Sequence, residues 1–229
     1  MNINGFQKMT LLDFPGKVAC TLFTGGCNMR CPFCHNASLV INGRERTEYS
    51  EEEILSYLKK RQGILEGVCI TGGEPLLQPD IEQFIIKVRE LGYAIKLDTN
   101  GALPERLISL CEKGLVDYVA MDIKNSIEKY RETSGVDTLD TKKIEQSIDF
   151  LLSGTIDYEF RTTVVNELHT IQDIEALSKR ISGAKRYFLQ PFLDSGDIIG
   201  DNLSAPDKVS LEEMCKIASK YVHFVEIRG

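Results

Sequence analysis

Short apolar, β-branched runs alternate along this chain with longer stretches that are apolar on one helical face. The runs are Val18–Phe23, Val68–Thr71, Tyr93–Leu97, Tyr118–Ile123, Tyr158–Val165, Arg186–Leu189 and Val222–Ile227. Runs of this length and composition read as strands. Between them, Ile81, Phe84, Ile85 and Val88 fall at i, i+3, i+4 and i+7, one face of a helix. Similar spacing returns in Ile144, Ile148, Leu151 and Leu152, in Ile174, Leu177 and Ile181, and in Leu211, Met214, Ile217 and Tyr221. Helix starts are marked too. Ser50-Glu51-Glu52-Glu53 and Ser210-Leu211-Glu212-Glu213 read as capping boxes. Pro79 and Pro104 stand where a first helical turn accepts proline.

Strand–helix alternation at this spacing predicts a parallel sheet with helices outside and right-handed crossovers. A closed barrel of eight such units takes about 250 residues, and these 229 hold fewer. The expected fold is therefore α/β: an open, partial (β/α)6 barrel in one domain over residues 1–229. Its core would span about 16–192, with a strand and turn over 1–15 and a C-terminal helix and strand over 193–229. A flavodoxin-like sheet is the alternative. In either fold, sites gather at the C-terminal ends of strands. There the chain places Thr24-Gly25-Gly26, Thr71-Gly72-Gly73-Glu74, Asp98-Thr99-Asn100-Gly101, Asp122-Ile123-Lys124, Arg161-Thr162-Thr163 and Gln190-Pro191.

Composition narrows the function. At 42% hydrophobic and 27% charged residues, the chain is ordinary globular material. Its net charge of −7 argues against a large nucleic-acid face. No apolar stretch approaches the ~18 residues of a membrane span. The start lacks the basic-then-apolar pattern of a secretory signal. Seven cysteines without such a signal point to a reducing cytoplasm, where clustered thiols serve as metal ligands or reactive groups.

Three of those cysteines stand in one loop, Cys27-Asn28-Met29-Arg30-Cys31-Pro32-Phe33-Cys34. Three thiolates at C-x3-C-x2-C can hold three irons of a cubic [4Fe–4S] cluster and leave the fourth iron open. Gly25-Gly26 lets the preceding strand turn into the loop. Pro32 stiffens the loop, and Arg30 can offset the anionic charge of the cluster. The competing readings are a structural zinc, for which His35 would have to serve as fourth ligand, and uncomplexed thiols. Cys20, Cys69, Cys111 and Cys215 lie at apolar positions and read as buried small hydrophobes.

This loop closely resembles that of the radical S-adenosylmethionine (radical SAM) enzymes. The segments Gly5-Phe6-Gln7-Lys8, Asp13-Phe14-Pro15-Gly16-Lys17, Gly26-Cys27-Asn28 and Cys34-His35-Asn36 resemble the activating proteins of anaerobic ribonucleoside-triphosphate reductase, which are glycyl radical enzyme activases. The resemblance implies a [4Fe–4S] cluster on Cys27, Cys31 and Cys34. It also implies S-adenosylmethionine, cleaved by one electron to a radical that takes a hydrogen from a backbone glycine of the partner. Phe33 takes the place of the aromatic against adenine, with the backbone of Phe33, Cys34 and His35 lining that pocket. Gly72, Gly73 and Glu74 match the segment that holds the methionine amino group. Asp122 would take the ribose hydroxyls and Lys124 the methionine carboxylate, with Ile123 between them. Arg161, in a strand expected to be buried, needs a carboxylate partner, either from S-adenosylmethionine or from a side chain such as Asp122. Asp98, Thr99 and Met121 match a monovalent cation site of some activases. The family often presents a histidine near adenosine at the sixth strand, and here Gln190-Pro191-Phe192-Leu193 has none. His169 and His223 read as surface or packing residues. A flavodoxin or ferredoxin would supply electrons. Activation of another enzyme, of the pyruvate formate-lyase type, or radical chemistry on a small molecule or peptide are the rival functions; a non-catalytic electron-transfer module is a third.

Overall fold

The computed structural model of the chain describes residues 1–41, 43 and 47–229. Eight strands are formed: β1 (Ile3–Thr10), β2 (Ala19–Thr24), β3 (Gly67–Gly72), β4 (Ala94–Thr99), β5 (Tyr118–Asp122), β6 (Asp157–Val164), β7 (Tyr187–Pro191) and β8 (Val225–Ile227). The α-helices are α1 (Ala37–Ile41), α2 (Glu51–Lys59), α3 (Ile81–Glu90), α4 (Pro104–Glu112), α5 (Tyr130–Ser134), α6 (Thr141–Leu152), α7 (Ile171–Arg180) and α8 (Lys208–Ala218). The class is α/β with a mostly parallel sheet, as expected. Every apolar run is a strand within a few residues. None of the described helices is long and apolar enough to cross a membrane.

The chain divides into two compact units. The first comprises Met1–Asn28, Ser38–Thr99 and Glu105–Val119. In it β1 pairs antiparallel with β2, while β2, β3 and β4 run parallel in chain order. Thr24 lies opposite Gly72, so the ends of β2 and β3 are level. Helix α3 buries Ile81, Phe84, Ile85 and Val88, the stripe predicted from spacing. Each such side chain contributes about 1.5–3 kcal/mol of transfer free energy. Ser50 caps α2 in the predicted box: its hydroxyl accepts from the Glu53 N–H, and the Glu53 carboxylate accepts from the Ser50 N–H.

The second unit comprises Met29–Ala37, Asn100–Pro104 and Ala120–Gly229. Here β6, β7 and β8 run parallel in chain order, and the Ile123 N–H after β5 donates to the Arg161 carbonyl of β6 at 2.8 Å. Two expected helix starts are corrected. The box at Ser210 is not the start of α8: Asp207 is the cap, accepting from the Ser210 N–H at 2.8 Å, and the helix begins one turn earlier. Pro79 lies before the Asp80 cap of α3 rather than in its first turn.

Candidate active site

In the first unit the site is built on close backbone contact. Gly72 has φ +120°, and a Cβ there would meet the Thr24 nitrogen at 2.3 Å. A Cβ on Gly73 would meet the Gly26 carbonyl oxygen at 2.0 Å. The Gly73 N–H donates to the Thr24 carbonyl, and the Glu74 N–H to the Gly26 carbonyl, each at 2.9 Å. The two glycines thus lock the β3 turn onto the residues that lead into Cys27. Their small size permits this backbone–backbone approach. Glu74 is fully buried; its Oε1 accepts from the Leu76 N–H at 3.0 Å and from the Thr99 hydroxyl at 2.9 Å. Gln78, not singled out from the sequence, donates to the Gly25 carbonyl at 2.9 Å.

Asp98 meets a cation of its own chain. Buried Lys96 forms an ion pair with it, and the Cys69 sulfur lies 3.8 Å from both groups. Thr99 is committed to Glu74. In the second unit, Met121 packs its methyl where a Cβ of Gly101 would be, 2.0 Å away. Asp98 and Thr99 thus each have a side-chain partner within the first unit.

The rest of the cysteine loop belongs to the second unit. The Cys34 N–H donates to the Cys31 carbonyl at 3.0 Å, closing a turn that carries both thiols. The Arg30 N–H donates to the Ser134 carbonyl at 2.8 Å, and the Gly200 N–H to the Pro32 carbonyl at 2.8 Å. Cys31 and Phe33 are buried, Cys34 half-buried. Among the described residues no three His, Cys, Asp or Glu side chains converge on a single-ion site; a cubane needs its ligands at separate corners. The guanidinium of Arg30 is turned to the Met29 carbonyl at 2.8 Å. The cation that faces the thiols is Lys124: burial alone would lower its pKa, but the Asp122 carboxylate and the Cys31 and Cys34 thiols raise it.

Asp122 accepts from Arg161 Nε at 2.9 Å and from Lys124 Nζ at 3.3 Å. Burial pushes its carboxyl up, and the two cations outweigh this and hold it at about 2. Asp122 is 34% exposed, so the ion pairs decide the direction. Arg161 thus finds its carboxylate within the fold. The Lys124 ammonium has three donors and makes this one hydrogen bond among the described residues. It also stands 6.0 Å over the Phe33 ring. Ile123 spends its backbone on β6, its carbonyl accepting from the Thr162 hydroxyl at 2.8 Å.

Two residues outside the expected site take part. His169 is buried, joins the Lys124 carbonyl and sets its ring edge-on to Phe33 at 6.4 Å. Phe192, at the end of β7, stacks on His35 with ring centroids 5.7 Å apart; it is the residue that meets the loop where no histidine stands. Cys20 and Cys69 are buried as expected, but Cys111 and Cys215 are only half-buried.

The residues fit a thiolate-held anionic cluster: three cysteines on one loop, an ammonium with unused donors and, on Tyr130, a buried hydroxyl without a partner beside them. Known proteins agree. The model of the radical SAM superfamily matches residues 21–181. A Methanocaldococcus jannaschii protein named for glycyl-radical enzyme activation is 34% identical over 99% of this chain and 95% of its own length. The pyruvate formate-lyase-activating enzyme of Clostridium pasteurianum is 35% identical over 43% of each chain. Among solved structures, Streptococcus suis SuiB bound to its precursor peptide superposes with TM-score 0.71 at 15% identity, over 91% of this chain and 48% of SuiB. A domain of the Bacteroides vulgatus pyruvate-formate lyase-activating enzyme gives 0.59 at 17% identity, over 72% of this chain and 99% of that domain. Those likenesses bear out the α/β fold with its mostly parallel sheet. The chain belongs to the radical SAM superfamily, among its glycyl-radical enzyme activating enzymes.

Proposed function

We propose that this enzyme activates an anaerobic ribonucleoside-triphosphate reductase by removing a hydrogen from a backbone glycine of that partner. The segments from Gly5 to Lys17 and around Cys27 and His35 carry the choice of partner. The end of β1 and the loop after it support a protein partner. Met9, Leu11 and Leu12 are 60%, 71% and 87% exposed, an apolar tip of the kind that marks interaction surfaces. The match to a pyruvate formate-lyase-activating enzyme keeps that class of partner as the second reading. A flavodoxin or ferredoxin in a reducing cytoplasm is the proposed electron source.

Cys27, Cys31 and Cys34 hold the cluster in this reading. When bound, the cluster supplies the electron and S-adenosylmethionine the hydrogen-abstracting group. The chain's own residues bind and orient. Phe33 and the backbone of Cys34 and His35 take the adenine. Gly72, Gly73 and Glu74 take the amino end of the methionine, and Asp122 the ribose. Lys124, with unused donors, takes the carboxylate; a charge-assisted hydrogen bond of this kind is worth about 1.5–3 kcal/mol, or roughly 10- to 100-fold in affinity. Arg161 holds Asp122 in place.

Mixing the reduced holoenzyme with each candidate partner tests the function. A glycyl doublet in the EPR spectrum of the reductase is expected. A doublet only with a pyruvate formate-lyase would establish the second reading. Lys124→Ala is expected to keep the cluster and lose the stated affinity; unchanged affinity would remove Lys124 from the site.

A further inference from the structure

We propose that residues 193–204 are a latch over the cysteine loop, which keeps solvent from the Cys31 and Cys34 thiols and so sets how long bound iron stays. Between β7 and α8 the chain runs from 192 to 207 without helix or strand. Connections longer than about 12–15 residues without regular structure are uncommon in a compact domain and usually serve function. This one is tied at both ends to the turn after β6. At its start the Phe192 N–H donates to the Val164 carbonyl at 3.0 Å. At the far end the Ser204 carbonyl accepts from the Asn166 N–H at 2.9 Å. The Glu167 carboxylate accepts from the Ser204 N–H at 2.9 Å and from its hydroxyl at 2.6 Å.

Between these anchors the segment lies against residues 32–37. The Ser195 hydroxyl donates to the His35 carbonyl at 3.4 Å. The Ala37 N–H donates to the Asp197 carbonyl at 3.2 Å, and the Gly200 N–H to the Pro32 carbonyl at 2.8 Å. The last contact is the tightest: a Cβ on Gly200 would lie 2.8 Å from the Pro32 Cβ. With the segment seated there, Cys31 is buried and Cys34 half-buried. The seat itself is shallow. Leu193 to Gly196 are exposed, and Ile198 and Ile199 only half-buried. Segments with few buried contacts open locally well before the whole fold does. Lifting the latch therefore uncovers the loop without unfolding the unit.

The proposal rests on Cys31 and Cys34 as ligands, and measurements on the apoprotein separate the two. Wild type, Gly200→Ala, Glu167→Ala and Gly183→Ala are compared as full chains. Gly200→Ala forces a methyl against Pro32, and Glu167→Ala releases the far anchor. Gly183→Ala, at φ +83° with nothing within 4 Å, controls for general loss of stability. In the apoprotein, alkylation of Cys31 and Cys34 by iodoacetamide is followed by mass spectrometry, and exchange of the Gly200 and Ala37 amides by NMR. Both should rise roughly tenfold in the two latch variants, the effect of losing one or two hydrogen bonds, and stay at the wild-type rate in Gly183→Ala. After reconstitution, the latch variants should lose iron to EDTA faster by a similar factor. Equal alkylation and exchange in all four proteins would overturn the latch. Faster alkylation with unchanged iron loss would overturn its hold on iron. A full cluster in Cys31→Ala would instead overturn the ligand assignment, with the latch still judged by the apoprotein rates. If Gly200→Ala fails to fold, Glu167→Ala decides alone by the same readings.

Discussion

The Nε2 of His169 lies 2.7 Å from the carbonyl oxygen of Lys124. The other ring nitrogen, Nδ1, takes the Val165 N–H at 3.0 Å. Both bonds are made together by the neutral ring with its proton on Nε2. One imidazole thus ties the turn after β6 to the lysine that faces the cysteine loop.

That neutral ring makes stability depend on pH. Burial holds the His169 pKa below its usual value. Near pH 6.5 and below, the unfolded chain binds the proton while the folded chain resists it, so stability is complete above the unfolded pKa and falls as pH drops below about 6.5. Wild type should lose melting temperature between pH 7 and 5 by a component absent from His169→Gln. At pH 7.5 the substitution should cost about 1–3 kcal/mol through unsatisfied buried groups. Parallel pH profiles for the two proteins would rule out this role.

Gly73→Ala forces a methyl against the Gly26 carbonyl oxygen, 2.0 Å from where its carbon would sit. The neighbour is backbone, so the turn before Cys27 must shift. Overpacking of this kind costs about 1–3 kcal/mol. Iron uptake should fall with it, whereas Gly92→Ala, with nothing within 4 Å but at φ +88°, should lose only stability. Equal iron content in both variants would show that the β3 turn does not set the cysteine loop.

Lys96→Met removes a buried ammonium and leaves the half-buried Asp98 carboxylate without its lysine. Breaking such a pair costs about 3–5 kcal/mol, measurable by urea unfolding. Lys96→Met with Asp98→Asn should recover part of the loss, since contacting residues couple. Because Lys96 already supplies the positive charge, exchange of sodium and potassium for tetramethylammonium should leave S-adenosylmethionine binding by wild type unchanged. A potassium requirement would mean that a cation joins Asp98 after all.

The fold was legible because its strands are apolar on both faces. Runs such as Val68–Thr71 then stand out from amphipathic helices such as Ile81–Glu90. The α8 start was misread because Asp207 and Ser210 are equally good caps three residues apart, and only packing chooses between them. Lys96 was missed because a lysine within a strand reads as a solvent-facing position. Asp98, two residues on and so on the same face of β4, was the signal that could have found it. The cysteine loop was plain from spacing alone. The parts of His169, Phe192 and Tyr130 were not, since each depends on neighbours more than 30 positions away or on an unsatisfied atom, neither of which leaves a local pattern.

EPR of the dithionite-reduced protein with and without S-adenosylmethionine, followed by product analysis, bears most directly on the three-thiolate cluster. The spectrum should change when S-adenosylmethionine is added, and methionine and 5′-deoxyadenosine should form in equal amounts. A cluster whose spectrum ignores S-adenosylmethionine and which yields no 5′-deoxyadenosine would contradict an open iron held by Cys27, Cys31 and Cys34.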